Sequence, residues 1–196
     1  MNKYRIIAIC GKSAAGKDTM LQGMLEAMGD SVHEVISHTT RPPREGEVDG
    51  KNYYFISSTD FAHKGMRGEM LETAMYRDWH YGTAIDALDK NKINIGVFNR
   101  KGIESLLRRD DILEVYVVYM LASDKQRLLR SLNRETDPDV KEIVRRYLAD
   151  EEEWQDFRSY NFILANDGPG IDPANMTKIT ERIIEEAECL WAKEAN

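Results

Sequence analysis

The chain has 196 residues, a length that predicts one domain with room for a sizeable buried core. Its formal net charge of −7 disfavours a general nucleic-acid binder and a membrane-surface protein, because both classes are usually basic. Two cysteines exclude a disulfide framework, and no apolar run reaches the roughly 20 residues that a membrane-spanning helix needs. Residues 1–5 lead into an apolar run without a signal-peptide pattern, so we expect a soluble, cytoplasmic protein.

The first predicted elements are a strand, a glycine-rich loop and a helix. Residues 4–10 are apolar and rich in β-branched side chains, which is typical of a buried parallel strand, and the spacing of apolar residues over 17–28 predicts a helix. Amides in such a loop point at phosphate oxygens, and a lysine at the helix start can reach the β- and γ-phosphates. We therefore predict an ATP-binding phosphate loop formed by Gly11, Lys12, Ser13, Ala14, Ala15, Gly16, Lys17, Asp18 and Thr19.

The residues after Lys17 depart from the usual phosphate-loop pattern, in which a Ser or Thr follows the lysine. Here Asp18 takes that position and Thr19 comes one residue later. A carboxylate is a good hard-oxygen ligand for Mg²⁺. We therefore expect Mg²⁺ to accompany ATP, held by Asp18 directly or through water, or by Thr19 in its place.

The segment 36–56 predicts a second phosphate site. It places Arg41 and Arg44 in a loop that Pro42 and Pro43 stiffen. Guanidinium groups bind phosphate oxygens bidentately, and a restricted backbone loses less entropy when a ligand orders it. Two separate phosphate sites in one chain indicate the transfer of a phosphoryl group between two ligands.

The rest of the chain alternates strands with helices, which predicts an α/β fold with a parallel sheet and helices on both faces. Extended segments are predicted at 32–36, 51–58, 69–76, 92–98, 112–120 and 160–165. Helices are predicted at 61–66 (capped by Ser58, Thr59 or Asp60), 84–90, 101–109, 123–132, 140–157 and 171–193. Asn166 to Gly170 reads as a turn, and Cys10 and Cys189 are expected to have structural roles.

Four arginines flank a polar break at 133–139 and a fifth, Arg134, lies near its start; the five are Arg127, Arg130, Arg134, Arg145 and Arg146. Arginines on a mobile segment can close over transferring phosphates and neutralise developing charge. We favour Arg134 and Arg145 for this role, with Arg146 as the substitute if the register slips by one. For Arg127 we expect a solvated charge paired with the acidic residues at 150–153.

Taken with the phosphate loop, the segment 37–55 resembles the guanylate kinase family of P-loop nucleoside monophosphate kinases. The family pattern SxTTRxPRxGExxGxxYxF is met at Ser37, Thr39, Thr40, Arg41, Pro43, Arg44, Gly46, Glu47, Gly50, Tyr53 and Phe55. The likeness continues at Glu72 and at Tyr81-Gly82-Thr83, and more loosely through the arginine-rich segment and Asn166-Asp167.

The resemblance implies a three-layer P-loop kinase fold with a small acceptor-binding insertion and a helical lid. We expect a core of 1–33, 92–125 and 158–196, an acceptor-binding region of 34–91 and a lid of about 126–157. The implied reaction transfers the γ-phosphate of ATP to GMP or dGMP with Mg²⁺. Partners would be small-molecule nucleotides rather than nucleic acid or membrane, and the resemblance leaves monomer and homodimer open.

The resemblance also implies roles for individual residues. The catalytic set is Lys17, Arg41, Arg44, Arg134, Arg145 and Arg146. The residues expected to bind ATP are Gly11, Ser13, Ala14, Ala15, Gly16, Lys17, Asp18, Thr19, Arg130, Asn166 and Asp167. The residues expected to bind the acceptor are Ser37, Arg41, Arg44, Tyr53, Glu72, Tyr81, Gly82, Thr83 and Asn99, of which Ser37, Glu72 and Thr83 would read the guanine edge.

One departure leaves the acceptor open. The family usually shows DxDxxG after the third parallel strand, but Val97 and Asn99 stand where the two carboxylates would be. The Gly-Lys-Asp loop and Arg100 also resemble ribose 1,5-bisphosphate kinase, a relative in the same superfamily. The alternatives are therefore a kinase for another nucleotide or ribose 1,5-bisphosphate, and a non-catalytic guanylate kinase-like binding module.

Overall fold

The computed structural model describes residues 3–134, 136–168 and 171–194. Within these residues the strands are β1 Tyr4–Cys10, β2 Val32–Glu34, β3 His38–Thr39, β4 Tyr54–Phe55, β5 Met70–Tyr76, β6 Trp79–Ala84, β7 Ile93–Val97, β8 Leu113–Leu121 and β9 Phe162–Ala165. The helices are α1 Lys17–Met28, α2 Ser58–Met66, α3 Arg100–Leu107, α4 Asp124–Leu132, α5 Val140–Trp154 and α6 Pro173–Glu194. Among the described residues, no helix is long and apolar enough to cross a bilayer.

The core is a parallel sheet of five strands in the order β2-β7-β1-β8-β9. β1 lies at its centre, where Ile7 pairs with Ile95 on one side and with Tyr116 on the other. Because both neighbours and both faces cover it, β1 is fully buried from Ile6 to Cys10. This confirms the buried parallel strand predicted from its continuous apolar run.

Helices pack on both faces of this sheet. Successive side chains of a strand point to opposite faces, so Ile7 and Ile9 join one core cluster while Ile6, Ala8 and Cys10 join the other. The first cluster is completed by Met20 and Met24 of α1 and by Ile183, Ala187 and Trp191 of α6. The second contains Ile103 and Leu106 of α3 together with Trp154 and Phe157. The α/β class with helices on both faces is thereby confirmed.

A second, smaller sheet has the strand order β4-β3-β6-β5 and lies within residues 38–84. β5 and β6 form an antiparallel hairpin, and Arg77 in its turn has a φ of 54°. β3 pairs antiparallel with β6 and parallel with β4. This sheet therefore carries the arginine loop, which is the segment 40–53 between β3 and β4, and the residues expected to read the acceptor.

Several predicted boundaries were wrong. The helix predicted at 84–90 is absent from these described residues, because β6 runs to Ala84 and only a 3₁₀ turn, Ile85–Ala87, follows it. Pairing with β5 across the hairpin overrides the local sequence preference. Within 51–58 only Tyr54–Phe55 is a strand. α2 starts earlier than predicted, because Ser57 is its cap and accepts from the Asp60 N–H at 3.0 Å.

The two cysteines differ in burial. Cys10 is buried at the end of β1, and this burial raises the pKa of its thiol to about 12. Cys189 lies on α6 and is exposed. Three residues of the predicted turn, Asn166, Asp167 and Gly168, are described, while Pro169, Gly170 and the Glu135 of the polar break lie outside the described residues.

Candidate active site

The expected binding residues follow the carboxyl ends of the parallel strands, which meet at one edge of the sheet. The phosphate loop (residues 11–19) follows β1, Asn99 follows β7, α4 follows β8 and Asn166 follows β9. Open parallel sheets bind ligands in the crevice at this edge. The fold thus brings together segments that are far apart in the chain.

Two glycines of the phosphate loop are dictated by close packing. Gly11 has a φ of 140°, and a Cβ there would lie 2.5 Å from the carbonyl oxygen of Met120. Gly16 has a φ of 98°, and its Cβ would lie 2.4 Å from Nδ2 of Asn166. Ala14 between them also has a positive φ, 58°. The loop is therefore a strained turn wedged between the ends of β8 and β9.

Lys17 bends back over the loop. Its Nζ donates to the carbonyl oxygens of Gly11 at 2.9 Å and Lys12 at 3.0 Å. Burial lowers the pKa of Lys17, while the nearby carboxylates of Asp18 and Asp150 oppose this shift. A partly desolvated ammonium beside a glycine-rich loop and a helix N-terminus is a site for a phosphate group.

A cleft of about 900 Å³ opens between the phosphate loop, α4 and α5. Ser13, Gly16, Lys17, Asp18 and Thr19 line its lower side. Its upper side carries four arginines: Arg127, Arg130, Arg134 and Arg146. Five cations thus converge on one cavity in a protein whose net charge is −7. Four carboxylates, those of Asp18, Asp139, Glu142 and Asp150, also line the cleft, so the cations exceed the carboxylates by one. An excess of cations favours the binding of a polyanion.

Of the two arginines after the polar break, Arg146 lines the cleft. Arg145 is exposed and its guanidinium donates to Glu142 at 2.7 and 2.9 Å. Arg146 also donates to Glu142, at 2.7 Å. The structure therefore favours Arg146, the substitute, over Arg145 for contact with a ligand in the cleft, because successive residues of a helix point in different directions.

Asp18 and Thr19 lie in the first turn of α1, are exposed and line the cleft. In the part of the chain that the structure describes, no group of three or more His, Cys, Asp or Glu side chains is placed to hold a metal ion. A cation here would therefore share its coordination between phosphate oxygens and one or two protein oxygens. Carboxylate and hydroxyl donors fit Mg²⁺, which usually keeps few protein ligands beside its phosphates and waters.

Arg130, Asn166 and Asp167 make contacts within the protein. Arg130 donates to the carbonyl oxygens of Asn166 at 2.8 Å and Gly168 at 3.0 Å. Asn166 is buried and its Nδ2 donates to the Ala15 carbonyl at 2.9 Å. Asp167 accepts from the Ser123 N–H at 2.6 Å, a bond that holds the pKa of its carboxyl below the ordinary range. These residues join the end of β9 to the back of the phosphate loop.

The prediction that Arg127 is exposed to solvent was wrong. It was expected to be a solvated charge, but it is buried, with 2% of its surface exposed. It does contact Asp150 and Glu151, as expected, yet it does so between α4 and α5 rather than along one helix. Its spacing of three residues from Arg130 places both on one face of α4, and this is the sequence signal that could have linked it to the loop.

In the expected acceptor site, Arg41 is buried and paired. Its guanidinium donates to both carboxylate oxygens of Glu47, at 2.9 and 2.8 Å, and lies 5.6 Å from the centre of the Tyr53 ring. Glu47 also accepts from the Arg44 N–H at 2.7 Å. The hydrogen bonds from Arg41 and then from Arg44 lower the pKa of Glu47 to about 2. Glu47, which was not among the expected site residues, therefore orders the arginine loop.

Two tyrosines stand beside this pair. The rings of Tyr53 and Tyr81 meet edge to face with their centres 5.9 Å apart. Burial raises the pKa of Tyr53, so its hydroxyl stays protonated at neutral pH. Arg41, Arg44, Tyr53 and Tyr81, all expected to hold the acceptor phosphate, belong to one sheet and its loop, with Arg44 exposed.

Three residues expected to read a base form a hydrogen-bonded chain. The hydroxyl of Thr83 donates to Oε1 of Glu72 at 2.9 Å, and the hydroxyls of Ser37 and Thr83 lie 3.1 Å apart. Because Thr83 has one hydroxyl proton and gives it to Glu72, Ser37 donates to Thr83. Burial raises the pKa of Glu72, and the hydrogen bonds from Thr83 oppose this. Gly82 allows this approach, since a Cβ there would lie 2.6 Å from the Glu72 carbonyl oxygen.

Asn99 has a local role that the sequence analysis missed. Its Oδ1 caps α3 by accepting from the Gly102 N–H at 2.7 Å. A Cβ on Gly102 would lie 3.3 Å from this oxygen and 3.7 Å from Cγ of Glu72, so Asn99 does border the base-reading chain. Arg100 donates to Glu104 at 3.0 Å and to the carbonyl oxygen of Glu153. The extra cation after β7 is therefore bound to groups of the protein itself.

Comparison with known proteins agrees with this arrangement. The family model described as guanylate kinase matches residues 3–186. A guanylate kinase of Malacoplasma penetrans is 31% identical over 172 residues, which cover 84% of this chain and 86% of that protein. One of Caldanaerobacter subterraneus is 32% identical over 164 residues, which cover 83% and 79%. A solved guanylate kinase structure from Anaplasma phagocytophilum has a TM-score of 0.62 at 19% identity, covering 100% of this chain and 89% of that one, and shows the same fold.

Proposed function

Because the chain belongs to the guanylate kinase family, we propose that it transfers the γ-phosphate of ATP to GMP or dGMP. The hydrogen-bonded chain of Ser37, Thr83 and Glu72 carries the proposal for the acceptor. A carboxylate can accept from N1–H and N2–H₂ of guanine together, whereas adenine offers no such pair of donors. Selecting a base in this way requires an acceptor that is held in a fixed position and shielded from water, and Glu72 is partly buried and bonded to Thr83.

The acceptor phosphate is proposed to bind at Arg41, Arg44, Tyr53 and Tyr81. Glu47 holds the guanidinium of Arg41 by two hydrogen bonds, so its direction is set before any ligand arrives. Arg44 is exposed and can turn its guanidinium toward the phosphate. A preorganised loop of this kind loses little entropy on binding, which improves both affinity and the alignment of the attacking oxygen.

The phosphates of ATP are proposed to bind at the phosphate loop, with Lys17 on the β- and γ-phosphates. Asp18 and Thr19 would hold Mg²⁺ together with phosphate oxygens, and the ion would screen phosphate charge that the Asp18 carboxylate otherwise repels. Arg134 and Arg146 face the same cleft and would neutralise charge on the transferring group. Closure of the lid would exclude water and suppress hydrolysis of ATP.

Catalysis of this kind needs no covalent intermediate. The protein aligns the acceptor oxygen with the γ-phosphorus and places cations around the oxygens that gain charge. Lys17, Arg146 and the arginine loop supply those cations. The carboxylate of Glu72 acts on binding rather than on the transfer itself.

One observation favours a second candidate acceptor. Val97 and Asn99 bring no carboxylate to the base-reading side, and the oxygen of Asn99 already caps α3. A kinase whose acceptor has no base to read, such as ribose 1,5-bisphosphate, would need neither carboxylate. The intact chain of Ser37, Thr83 and Glu72 favours the guanine nucleotide over this alternative.

An acceptor panel tests the proposal. ADP release would be followed by a coupled assay with Mg-ATP and GMP, dGMP, AMP, CMP, UMP, dTMP or ribose 1,5-bisphosphate. We expect turnover with GMP or dGMP only. Turnover with ribose 1,5-bisphosphate while both guanine nucleotides are inert would replace the proposed acceptor, and no turnover with any acceptor would remove the kinase activity itself.

The Glu72→Gln variant tests how the base is read. A hydrogen bond to a charged group contributes roughly 1.5–3 kcal/mol, so we expect the KM for GMP to rise about 10- to 100-fold. The KM for ATP should stay within about twofold, since Glu72 lies in the other site. Glu114→Gln, which removes a carboxylate paired with Arg5 far from the site, is the matched control. A KM for GMP that does not change in Glu72→Gln would contradict base reading by this residue.

A further inference from the structure

Six residues hold the tip of the phosphate loop against α4 and α5: Lys12, Ser13, Asp124, Arg127, Asp150 and Glu151. We name this group the loop clamp. Arg127 of α4 and Asp150 of α5 form its centre, with 2% and 7% of their surfaces exposed. Removal of either partner would leave the charge of the other buried without compensation, so each of the two side chains depends on the other.

The peptide units of Ser13 are held at both polar ends. The Ser13 N–H donates to Oδ2 of Asp150 at 2.7 Å. The Ser13 carbonyl oxygen accepts from Nε of Arg127 at 3.1 Å. Arg127 and Asp150 are in turn joined at 2.7 Å. One backbone residue and two side chains thus form a closed ring of hydrogen bonds, in which the side chains orient the backbone.

The outer part of the clamp repeats this pattern with Lys12. Its Nζ donates to Glu151 at 2.5 Å, and Glu151 also accepts from Arg127 at 3.0 Å. The Tyr147 ring lies 5.2 Å from the Arg127 guanidinium. Two consecutive loop residues therefore contact two consecutive acidic residues of α5 directly, and Arg127 contacts both of these acidic residues.

The clamp acts where the loop is strained. Ala14, the residue after Ser13, has a φ of 58°. Non-glycine residues keep such a conformation only when their surroundings impose it, and here the neighbouring Ser13 is fixed on both sides. The clamp occupies the amide of Ser13, and the amide of Ala15 donates within the loop to the Lys12 carbonyl oxygen at 3.3 Å.

We propose that Arg127 and Asp150 are positioning residues for ATP, which hold the phosphate loop in its binding conformation and couple it to α5. α5 also carries Arg146 into the cleft, so the clamp would tie the loop and a lid arginine to one rigid element. The inference rests on the proposed function only in taking ATP as the ligand of the phosphate loop. Its central test is an affinity for Mg-ATP that needs no acceptor.

The test compares Asp150→Ala, Arg127→Leu and the double variant Arg127→Leu/Asp150→Ala. The thermal midpoint, the Kd for Mg-ATP by titration calorimetry and the KM values for ATP and GMP would be measured for each. Each single variant leaves a buried charge unpaired and should have a lower thermal midpoint than wild type. The double variant removes both charges and should regain the wild-type thermal midpoint. Arg109→Leu/Asp111→Ala, an ion pair of 3.3 Å away from the loop, is the matched control.

We expect the double variant to bind Mg-ATP about tenfold or more weakly, because a loop released from the clamp loses conformational entropy when ATP orders it again. Its KM for GMP should stay within about twofold. A double variant that regains both the thermal midpoint and the wild-type Kd for Mg-ATP would reduce the clamp to a structural ion pair and overturn the proposal. Equal weakening for ATP and GMP would overturn it as well.

Asp150→Asn keeps the test decisive if the double variant does not regain its stability. The amide oxygen of Asn can still accept from the Ser13 N–H, so we expect a Kd for Mg-ATP within about threefold of wild type, against about tenfold or more for Asp150→Ala. Equal Kd values for the two variants would contradict a role through Ser13. If GMP is not the acceptor, wild-type turnover with GMP fails while the Kd for Mg-ATP still reports on the clamp.

Discussion

At the scale of single residues, the site depends on groups whose properties burial has changed. Lys17 and Glu72 are both partly desolvated, which lowers the pKa of the first and raises that of the second. Each is thereby made more responsive to a ligand that restores its charged form: phosphate for the lysine and the donors of guanine for the carboxylate. Close packing also restricts the residue type at Gly11, because the Met120 carbonyl oxygen of β8 leaves no room for a side chain there.

The raised pKa of Glu72 predicts a pH dependence of acceptor binding. Only the ionised carboxylate can accept both guanine donors, so the KM for GMP should rise as the pH falls through the pKa of Glu72. This rise should begin at a higher pH than for an ordinary glutamate, and it should be absent in Glu72→Gln. Initial rates at saturating ATP from pH 8 down to pH 5 would show it, and parallel pH profiles for the two proteins would contradict it.

The same shift predicts an effect on folding. A carboxyl whose pKa is higher in the folded state contributes stability below its unfolded pKa and loses it as the pH rises through the folded pKa. At neutral pH the buried charge of Glu72 is therefore unfavourable, and Glu72→Gln should raise the thermal midpoint. The gain should shrink as the pH is lowered toward 4, which differential scanning calorimetry can follow. A midpoint lower than that of wild type at pH 7 would contradict the burial argument.

Gly11→Ala tests the packing of the phosphate loop. Its Cβ would lie 2.5 Å from the Met120 carbonyl oxygen, at a φ of 140°. Gly29→Ala is the matched control, because Gly29 also has a positive φ, 50°, but no atom lies within 4 Å of its added Cβ. Gly29→Ala should lose only the backbone contribution of roughly 1–3 kcal/mol, and Gly11→Ala should lose roughly 1–3 kcal/mol more through the clash. Chemical denaturation gives both values, and equal losses would contradict the close approach.

At the scale of elements, the arginine loop between β3 and β4 is built around Glu47. The bidentate pair with Arg41 and the bond from the Arg44 amide converge on one carboxylate, while the prolines restrict the backbone between them. The hairpin β5–β6 holds the other half of the proposed acceptor site, because cross-strand pairing places Glu72 opposite Thr83. Neither half contains a long helix, so pairing between strands determines its geometry.

Glu47→Gln tests this ordering role. Loss of the charge weakens the pair with Arg41, so we expect the KM for GMP to rise about 3- to 10-fold, the effect of one charge-assisted contact. The KM for ATP should be unaffected. Glu45→Gln, an exposed carboxylate of the same loop, is the control and should leave both constants unchanged. Equal kinetic constants for Glu47→Gln and wild type would show that the loop is ordered without this pair.

At the scale of the whole molecule, the two proposed anion sites lie on different sheets and are built from separate segments. The phosphate loop and its cleft use β1, α1, α4 and α5, while the acceptor site uses the small sheet. Ligand binding to each site should therefore stabilise the fold independently.

Thermal shifts can separate the two sites. A ligand at 100 times its Kd adds about 2.7 kcal/mol to the stability of a folded protein. For a domain of this size that corresponds to a rise in the thermal midpoint of roughly 5–11 °C. Mg-ATP should produce this shift in wild type and in Glu72→Gln but not in Lys17→Ala, whereas GMP should lose it in Glu72→Gln alone. Loss of both shifts in either variant would mean that the two sites are not independent.

The fold class, the phosphate loop and the arginine motif could be predicted from the sequence, because each depends on residues close together in the chain. Apolar runs identify buried strands, and a glycine-rich turn before a helix identifies an anion site wherever it occurs. Asp18, Lys17 and the pair Arg41 and Arg44 could be named for the same reason. The chain of Ser37, Glu72 and Thr83 could be named only through the family resemblance.

The burial of charged side chains and the identity of their partners could not be predicted in this way. Arg127 was expected in solvent, yet α4 and α5 enclose it above Ser13, a residue more than 100 positions away. Strand pairing extends β6 to Ala84, where a helix was predicted to begin, and a 3₁₀ turn follows at Ile85–Ala87. The start of α3 took the oxygen of Asn99 as its cap. These outcomes depend on contacts between distant segments, whose free energies exceed local preferences and have no signature within a short window of sequence.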